Sequence, residues 1–155
     1  MSSYSTVLVG TDGSESSFKA VERAAEVAAG VGATLLIACA YHPMSAREVQ
    51  DAANALGGES YKVSGSNPAE NVLRDAADRA RKVGADSVDT IAVEGDPVDE
   101  LTRLVKDRSV DLVVVGNRGL NSLAGRLLGS VPANISHRAG CDVLIVHTTG
   151  RGSKR

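Results

Sequence analysis

Residues 34–40 have the sequence TLLIACA, a run in which neighbouring positions, and not only alternate ones, are apolar. A strand of a parallel sheet has this pattern, because helices cover both faces of such a sheet. Gly30 and Gly32 come just before the run, as is typical of the end of a preceding helix. The run therefore predicts a central strand of a parallel sheet.

Apolar runs and helical patterns alternate along the chain on both sides of this strand. Parallel strands need long crossover connections, which are usually helices and right-handed. The predicted strands cover residues 6–11, 34–40, 87–93, 111–116 and 141–148. The predicted helices cover residues 17–29, 67–83, a segment that begins at Asp96-Pro97, and residues 130–137. We predict an α/β fold with a five-stranded parallel sheet, doubly wound and Rossmann-like, in the strand order 3-2-1-4-5.

The size of the chain predicts a single domain. Its 155 residues, 43% of them apolar, can bury a core without disulfides or structural metal. We assign the domain to residues 1–149 and a disordered basic tail to residues 150–155. Residues 41–67 lose periodicity and are rich in Gly and Ser, which predicts a long loop with a short helix at residues 46–56.

Composition excludes several classes of function. The formal charge of −2 is too balanced to attract nucleic acid or an anionic membrane without a concentrated patch. No apolar run approaches the roughly 20 residues that cross a bilayer, and the first residues lack signal-peptide features. We therefore expect a cytoplasmic protein. Cys39 and Cys141 lie in apolar runs without a C-x-x-C partner and are predicted to be small core residues, without a redox or metal role.

A first candidate site follows the fourth predicted strand. The sequence GNRG at residues 116–119 is followed, after nine residues, by Gly129-Ser130 at the start of the last helix. Glycines let backbone N–H groups approach phosphate oxygens, and a helix N-terminus adds unpaired donors and a positive dipole end. Arg118 adds a cation. The alternative is that the glycines only form tight turns and that Arg118 is solvated.

A second candidate site, the sequence GTDGS at residues 10–14, follows the first strand. The carboxylate of Asp12 can reach a ribose hydroxyl or a magnesium-bound phosphate. The alternative is that Asp12 or Ser14 only caps the next helix, and the two roles can be divided between them. In the predicted strand order, both candidate sites border the crevice between strands 1 and 4, where the winding direction reverses and ligands bind.

The pattern G-x-x-G, nine residues, G-S resembles the nucleotide motif of the universal stress protein family. The resemblance covers nearly the whole chain: TVLVGTDGSESS at residues 6–17, Asp111 followed by VVVGNRG, and GRLLGSVPANISHRAGCDVLIVHT at residues 125–148 occur in the order and spacing of the family. The stretches SVPANIS and VLIVHTT are most similar to an actinobacterial branch, some of whose members are associated with cyclic AMP.

The resemblance implies a site for an adenine nucleotide. Adenine would lie near Thr11, Ala40 and Val115, and the ribose near Asp12 and Gly116. The phosphates would lie at Gly119, Gly129, Ser130 and Val131. The full set of implied binding residues is Gly10, Thr11, Asp12, Ala40, Val115, Gly116, Arg118, Gly119, Gly129, Ser130 and Val131. The resemblance further implies a homodimer through the last strand, residues 142–148, from Asp142 to Thr148, which would cover an exposed apolar edge.

The identity of the nucleotide stays open at this point, between ATP and cyclic AMP. ATP carries a triphosphate that binds Mg²⁺, and its higher charge suits the cationic Arg118. Cyclic AMP brings one charge and no unesterified 3′-hydroxyl for Asp12, and it suits the branch resemblance.

We predict a nucleotide sensor or buffer in the stress response and not an enzyme. The three histidines, His42, His137 and His147, fall in a loop, a helix and a strand without a shared catalytic motif. No Lys stands between Gly129 and Ser130, which excludes a P-loop, and one Phe, three Tyr and no Trp do not suit a flavin carrier. The alternatives are a weak ATPase and a protein-interaction module of the same fold without nucleotide.

Overall fold

The computed structural model describes residues 4–41, 67–117 and 130–148. Its strands are β1 (Thr6–Gly10), β2 (Thr34–Tyr41), β3 (Val88–Glu94), β4 (Leu112–Gly116) and β5 (Asp142–Val146). Its helices are α1 (Glu15–Val31), α2 (Asn67–Val83), α3 (Pro97–Asp107) and α4 (Ser130–Arg138). All strand pairs are parallel and the order is β3-β2-β1-β4-β5. The predicted fold and strand order are confirmed.

The central strand β2 separates two hydrophobic cores. Leu35, Ile37 and Cys39 point to the core under α1 and α2, and Leu36 and Ala38 point to the core under α3 and α4. All five are at most 5% exposed, as expected of a strand with a helical layer on each face. Full burial of one Leu or Ile side chain contributes about 1.5–3 kcal/mol, so these two cores are the main stabilising feature of the fold.

The helices begin and end at the residues that local chemistry favours. Ser14 caps α1, its Oγ accepting a hydrogen bond from the N–H of Ser17 at 3.1 Å, and Gly32 ends the helix with φ of 73°. Asp96 caps α3, accepting a hydrogen bond from the N–H of Asp99 at 3.1 Å, and Pro97 occupies the first turn. The start signal predicted at Asp96-Pro97 is confirmed.

Three strands are shorter than the sequence predicts: β1 ends at Gly10, β4 begins at Leu112, and β5 is shortened at both ends. β4 starts at Leu112, after Asp111, whose carboxylate accepts hydrogen bonds from the N–H groups of Ser5 and Thr6 at 2.7 and 3.0 Å. β5 covers only Asp142–Val146, and the N–H of Thr148 donates to the side chain of Asn117 at 2.8 Å instead of to a strand. The predicted strand at residues 141–148 is thus too long at both ends.

Some predictions fall outside the described residues or are only partly correct. The short helix at residues 46–56 and the tail at residues 150–155 lie outside them. Cys39 is a buried core residue as predicted, whereas Cys141 is only half-buried. Within the described ranges, no helix is long and apolar enough to cross a membrane.

Candidate functional site

The two candidate sites lie side by side at the carboxyl edge of the sheet. β1 pairs directly with β4, with Val9 opposite Val114, so the chain leaves both strands at neighbouring points. α1 then packs on one face of the sheet and α4 on the other, as their separate cores show. The winding direction therefore reverses between the ends of β1 and β4, where the sequence predicts the ligand crevice.

The hydroxyl group of Thr11 forms hydrogen bonds within the protein. It is 1% exposed, and its Oγ1 lies 2.7 Å from the Oγ of Ser17, which is also buried. The same Oγ1 accepts a hydrogen bond from the N–H of Gly13 at 3.2 Å. The Thr11 N–H also donates to the carbonyl of Ala38 at 2.9 Å, so both its hydroxyl and its N–H have partners within the protein.

Asp12 is half-buried and closes the turn that precedes α1. Its Oδ1 accepts a hydrogen bond from the N–H of Ser14 at 2.9 Å, while Ser14 is the residue that caps the helix. The two roles left open by the sequence are thus divided: Ser14 caps α1, and the Asp12 carboxylate lies ahead of the helix.

The turn that carries Asp12 lies beside the end of β2, since the N–H of Thr11 donates to the carbonyl of Ala38 at 2.9 Å. Burial first, and the Asp12 carboxylate second, raise the pKa of Cys39 to about 11. Since Cys39 lies one residue before Ala40, the carboxylate lies close to the ends of both β1 and β2. This is where the sequence resemblance places the nucleoside.

Gly13 is required by the fold of the chain. Its φ of 88° is a left-handed conformation, and a Cβ atom at this position would lie 2.8 Å from Cγ2 of Val72 on α2. The glycine therefore allows the turn after β1 to pack against α2, and it needs no ligand to explain it.

At the end of β4, Asn117 binds the chain that follows β5. Its N–H donates to the carbonyl of Val146 at 2.8 Å, and its Oδ1 accepts hydrogen bonds from the N–H and Oγ1 of Thr148 at 2.8 and 3.0 Å. The Oγ1 of Thr148 also lies 2.6 Å from the Oγ of Ser16 in the first turn of α1. We call these three residues, Ser16, Asn117 and Thr148, the polar clamp.

Gly116 is also packed tightly on the side of α1. A Cβ atom there would lie 3.2 Å from Cγ2 of Thr148 and 3.9 Å from Cβ of Ala20. The absence of a side chain thus lets Thr148 approach the backbone of β4. The opposite side of Gly116 faces the core under α3 and α4.

On that opposite side, three implied binding residues share one face of the sheet. Val115 is fully buried and packs in the same cluster as Val131, which is 7% exposed. Ala40 is half-buried and continues the face of Ala38. Ala40 is thus the one of the three whose side chain is partly exposed, whereas Val115 on β4 and Val131 on α4 are buried in the core under α3 and α4.

The phosphate-binding part of the prediction lies largely outside the described residues. Arg118, Gly119 and Gly129 are outside them, as is His42, and Ser130 is described only as the first residue of α4. His137 and His147 are exposed and lie on α4 and after β5. In the described part of the chain, no group of three His, Cys, Asp or Glu side chains is arranged to hold a metal ion.

The sequence reasoning missed the polar clamp. Asn117 stands inside the GNRG motif, but its partner Thr148 is 31 residues further along the chain. The available signal was the polar Thr148 directly after an apolar strand, at the same sheet edge as the motif. Without the strand order, that signal does not identify the partner.

A sequence model of the universal stress protein family matches residues 3–147. The universal stress protein Rv1636 of Mycobacterium tuberculosis is 55% identical to this chain over 149 residues, which cover 96% of this chain and 100% of the relative.

Solved structures agree with the sequence match. A universal stress protein in complex with cAMP superposes with a TM-score of 0.72 at 46% identity, covering 94% of this chain and 98% of the other. The universal stress protein from Archaeoglobus fulgidus in complex with dAMP superposes with a TM-score of 0.66, covering 92% and 98% of the two chains. At 17% identity, that second likeness shows the shared fold alone.

Proposed function

The chain belongs to the universal stress protein family, and from that premise we propose that it binds an adenine nucleotide, cyclic AMP before ATP, between the ends of β1 and β4. The observation that carries the proposal is the adjacency of the Asp12 turn and the Gly116 backbone at the point where winding reverses. A relative 46% identical to this chain is known in complex with cAMP. That relative supports the choice of cyclic AMP as the first ligand.

The nucleoside half of the proposal rests on described residues. Asp12 accepts a hydrogen bond from the ribose, which in cyclic AMP is the 2′-hydroxyl because the 3′-oxygen is esterified. The half-buried Ala40 borders the adenine, and the buried Val115 packs on the same side of the sheet. A charge-assisted hydrogen bond of this kind contributes about 1.5–3 kcal/mol, which corresponds to a change in affinity of about tenfold or more.

The phosphate half of the proposal rests on the sequence motif. Backbone N–H groups of the glycine motif and the first turn of α4 would bind the phosphate, since a helix N-terminus favours an anion. One phosphate charge needs no metal ion, whereas ATP would bring Mg²⁺ with it. We propose that the protein acts as a cytoplasmic nucleotide sensor or buffer and does not turn its ligand over.

Isothermal titration with cyclic AMP, and separately with ATP and Mg²⁺, tests the proposal. Asp12→Asn keeps the oxygen that accepts the Ser14 N–H and removes the charge, so we expect about tenfold weaker binding. Asp96→Asn is the matched control, because Asp96 also caps a turn after a strand but follows β3, away from the crevice. Its affinity should equal that of the wild type.

The same titration tests the glycine motif through Gly119→Val. We expect at least tenfold weaker binding with an unchanged fold, because a side chain there blocks backbone approach to phosphate. Tighter binding of ATP than of cyclic AMP would reverse our choice of ligand. Binding of neither would refute the proposal and favour an interaction module.

We also propose a homodimer through the last strand, residues 142–148. In the described part of the sheet, β5 pairs only with β4, and Ile145 on it is 45% exposed. An apolar edge strand of this kind is usually covered in a native protein. Sedimentation velocity of the wild type should give a dimer and Ile145→Asp a monomer, whereas a monomeric wild type would contradict the proposal.

A further inference from the structure

The polar clamp joins three segments that are distant in sequence. Ser16 belongs to the first turn of α1, Asn117 follows β4, and Thr148 follows β5. Thr148 is only 4% exposed, and its Oγ1 lies within 3.0 Å of both the Asn117 Oδ1 and the Ser16 Oγ. One hydroxyl group therefore connects the other two members of the clamp.

The clamp lies behind the crevice and not in it. Thr148 approaches Gly116 from the side of α1, at 3.2 Å from the position of a Cβ atom. The proposed nucleoside lies on the other side of the same backbone. Thr148 is therefore placed to act on a ligand only through the chain segments that it holds.

Those segments are the two sides of the crevice. Ser16 lies in the helical turn that Ser14 caps, and Ser14 in turn donates its N–H to Asp12. Asn117 continues the backbone of Gly116 into the glycine motif. A fixed distance between Ser16 and Asn117 thus fixes the distance between the Asp12 carboxylate and the Gly116 backbone.

We propose that Thr148 is a positioning residue that sets the width of the nucleotide crevice through its hydrogen bonds to Asn117 and Ser16. The inference rests on the proposed function, since it concerns the same site. It adds that Thr148, two residues after the end of β5 and on the α1 side of Gly116, contributes to affinity. Binding to a site of preset geometry is tighter because less ordering is needed on association.

The test compares two substitutions of one side chain. Thr148→Val keeps the shape of the residue and removes the hydroxyl, whereas Thr148→Ser keeps the hydroxyl. We expect Thr148→Val to weaken cyclic AMP binding about fivefold to tenfold and Thr148→Ser to bind within about twofold of the wild type. The control is Thr34→Val, which removes a hydroxyl paired with Ser87 at the opposite edge of the sheet and should not change affinity.

A second measurement needs no nucleotide. Hydrogen exchange of the Asn117 backbone N–H, which donates to Val146, should be at least about tenfold faster in Thr148→Val and unchanged in Thr148→Ser and Thr34→Val. Ser16→Ala changes a partly exposed residue and serves as the milder variant if Thr148→Val does not fold. It should weaken binding about twofold to threefold.

The outcomes separate this inference from the proposed function. Wild-type binding that Thr148→Val leaves unchanged would overturn the inference and leave the function standing. A wild type that binds neither nucleotide would overturn the function together with the ligand part of the inference. Unchanged exchange at Asn117 in Thr148→Val would overturn the clamp itself, whatever the protein binds.

Discussion

The turn after β1 and the turn after β4 border the same crevice but are held in opposite ways. The turn after β1 is stabilised by its own neighbours: Thr11, Asp12, Ser14 and Ser17 bond to one another within six residues. The turn after β4 is held by Thr148, which is 31 residues away from Asn117. One side of the site is thus a local structure, and the other depends on the completed sheet.

The two glycines differ in backbone conformation, although both are packed against distant segments. Gly13 is required by its own backbone conformation and by contact with α2, whereas Gly116 has no positive φ and is required only by the approach of Thr148. A glycine beside a ligand site is therefore not by itself evidence of contact with the ligand. In this site, the described glycines first serve the packing of the chain.

The largest expected effect tests the turn after β1 and its contact with α2. Gly13→Ala should destabilise the protein by about 2–4 kcal/mol, because the left-handed φ costs an L-residue about 1–2 kcal/mol and the new methyl group overlaps Val72. Gly32→Ala is the control, since Gly32 also has a positive φ but no atom within 4 Å of the added methyl group. It should cost only about 1 kcal/mol. Urea unfolding measures both.

Equal losses in the two variants would show that backbone strain alone requires Gly13. The contact with α2 would then not restrain the turn after β1, and the turn would depend entirely on its own hydrogen bonds.

A smaller effect tests the long-range side. Gly116→Ala should cost about 1 kcal/mol, because its methyl group lies 3.2 Å from Cγ2 of Thr148 and the neighbour must shift slightly. Thr148→Ser removes that methyl group and keeps the hydroxyl, so the double variant should lose less than the sum of the single ones, by about 0.5 kcal/mol or more. Urea unfolding of the four proteins completes the cycle. Strict additivity would mean that Thr148 does not restrict Gly116.

The sequence predicts the fold because its signals are short-range. Strong apolar runs such as residues 34–40 and start signals such as Asp96-Pro97 depend on neighbours within one turn or strand, and they appear where predicted. The cap of α1 is local in the same way: the sequence offers Asp12 or Ser14, and Ser14 is the residue that caps the helix.

The rest of the site depends on contacts between distant segments. Asn117 and Thr148 are in contact because β4 and β5 are neighbours in the sheet. No pattern in the sequence predicts this pair. The early end of β5 has the same origin, since the N–H of Thr148 donates to Asn117 and not to a strand. Predicted strand order alone does not give these side-chain contacts.

The smallest expected effect concerns the influence of the Asp12 charge on the pKa of Cys39 in β2. Burial raises the pKa of the Cys39 thiol to about 11, with Asp12 as the lesser cause. Unfolded Cys has a pKa of about 8.5, so the unfolded chain ionises first, and the contribution of Cys39 to stability is lost as the pH rises from about 8.5 through about 11. Below that window the thiol is neutral in both states and contributes no pH dependence.

Asp12→Asn should therefore lower the pKa of Cys39 only slightly, since the larger cause, burial, remains. The rate of alkylation by iodoacetamide against pH measures it, in a Cys141→Ser background so that a single thiol reports. A return of the pKa to its ordinary value would make the Asp12 charge the main cause. An unchanged pKa would place the carboxylate away from β2, and the turn after β1 would then form less of the crevice than the turn after β4.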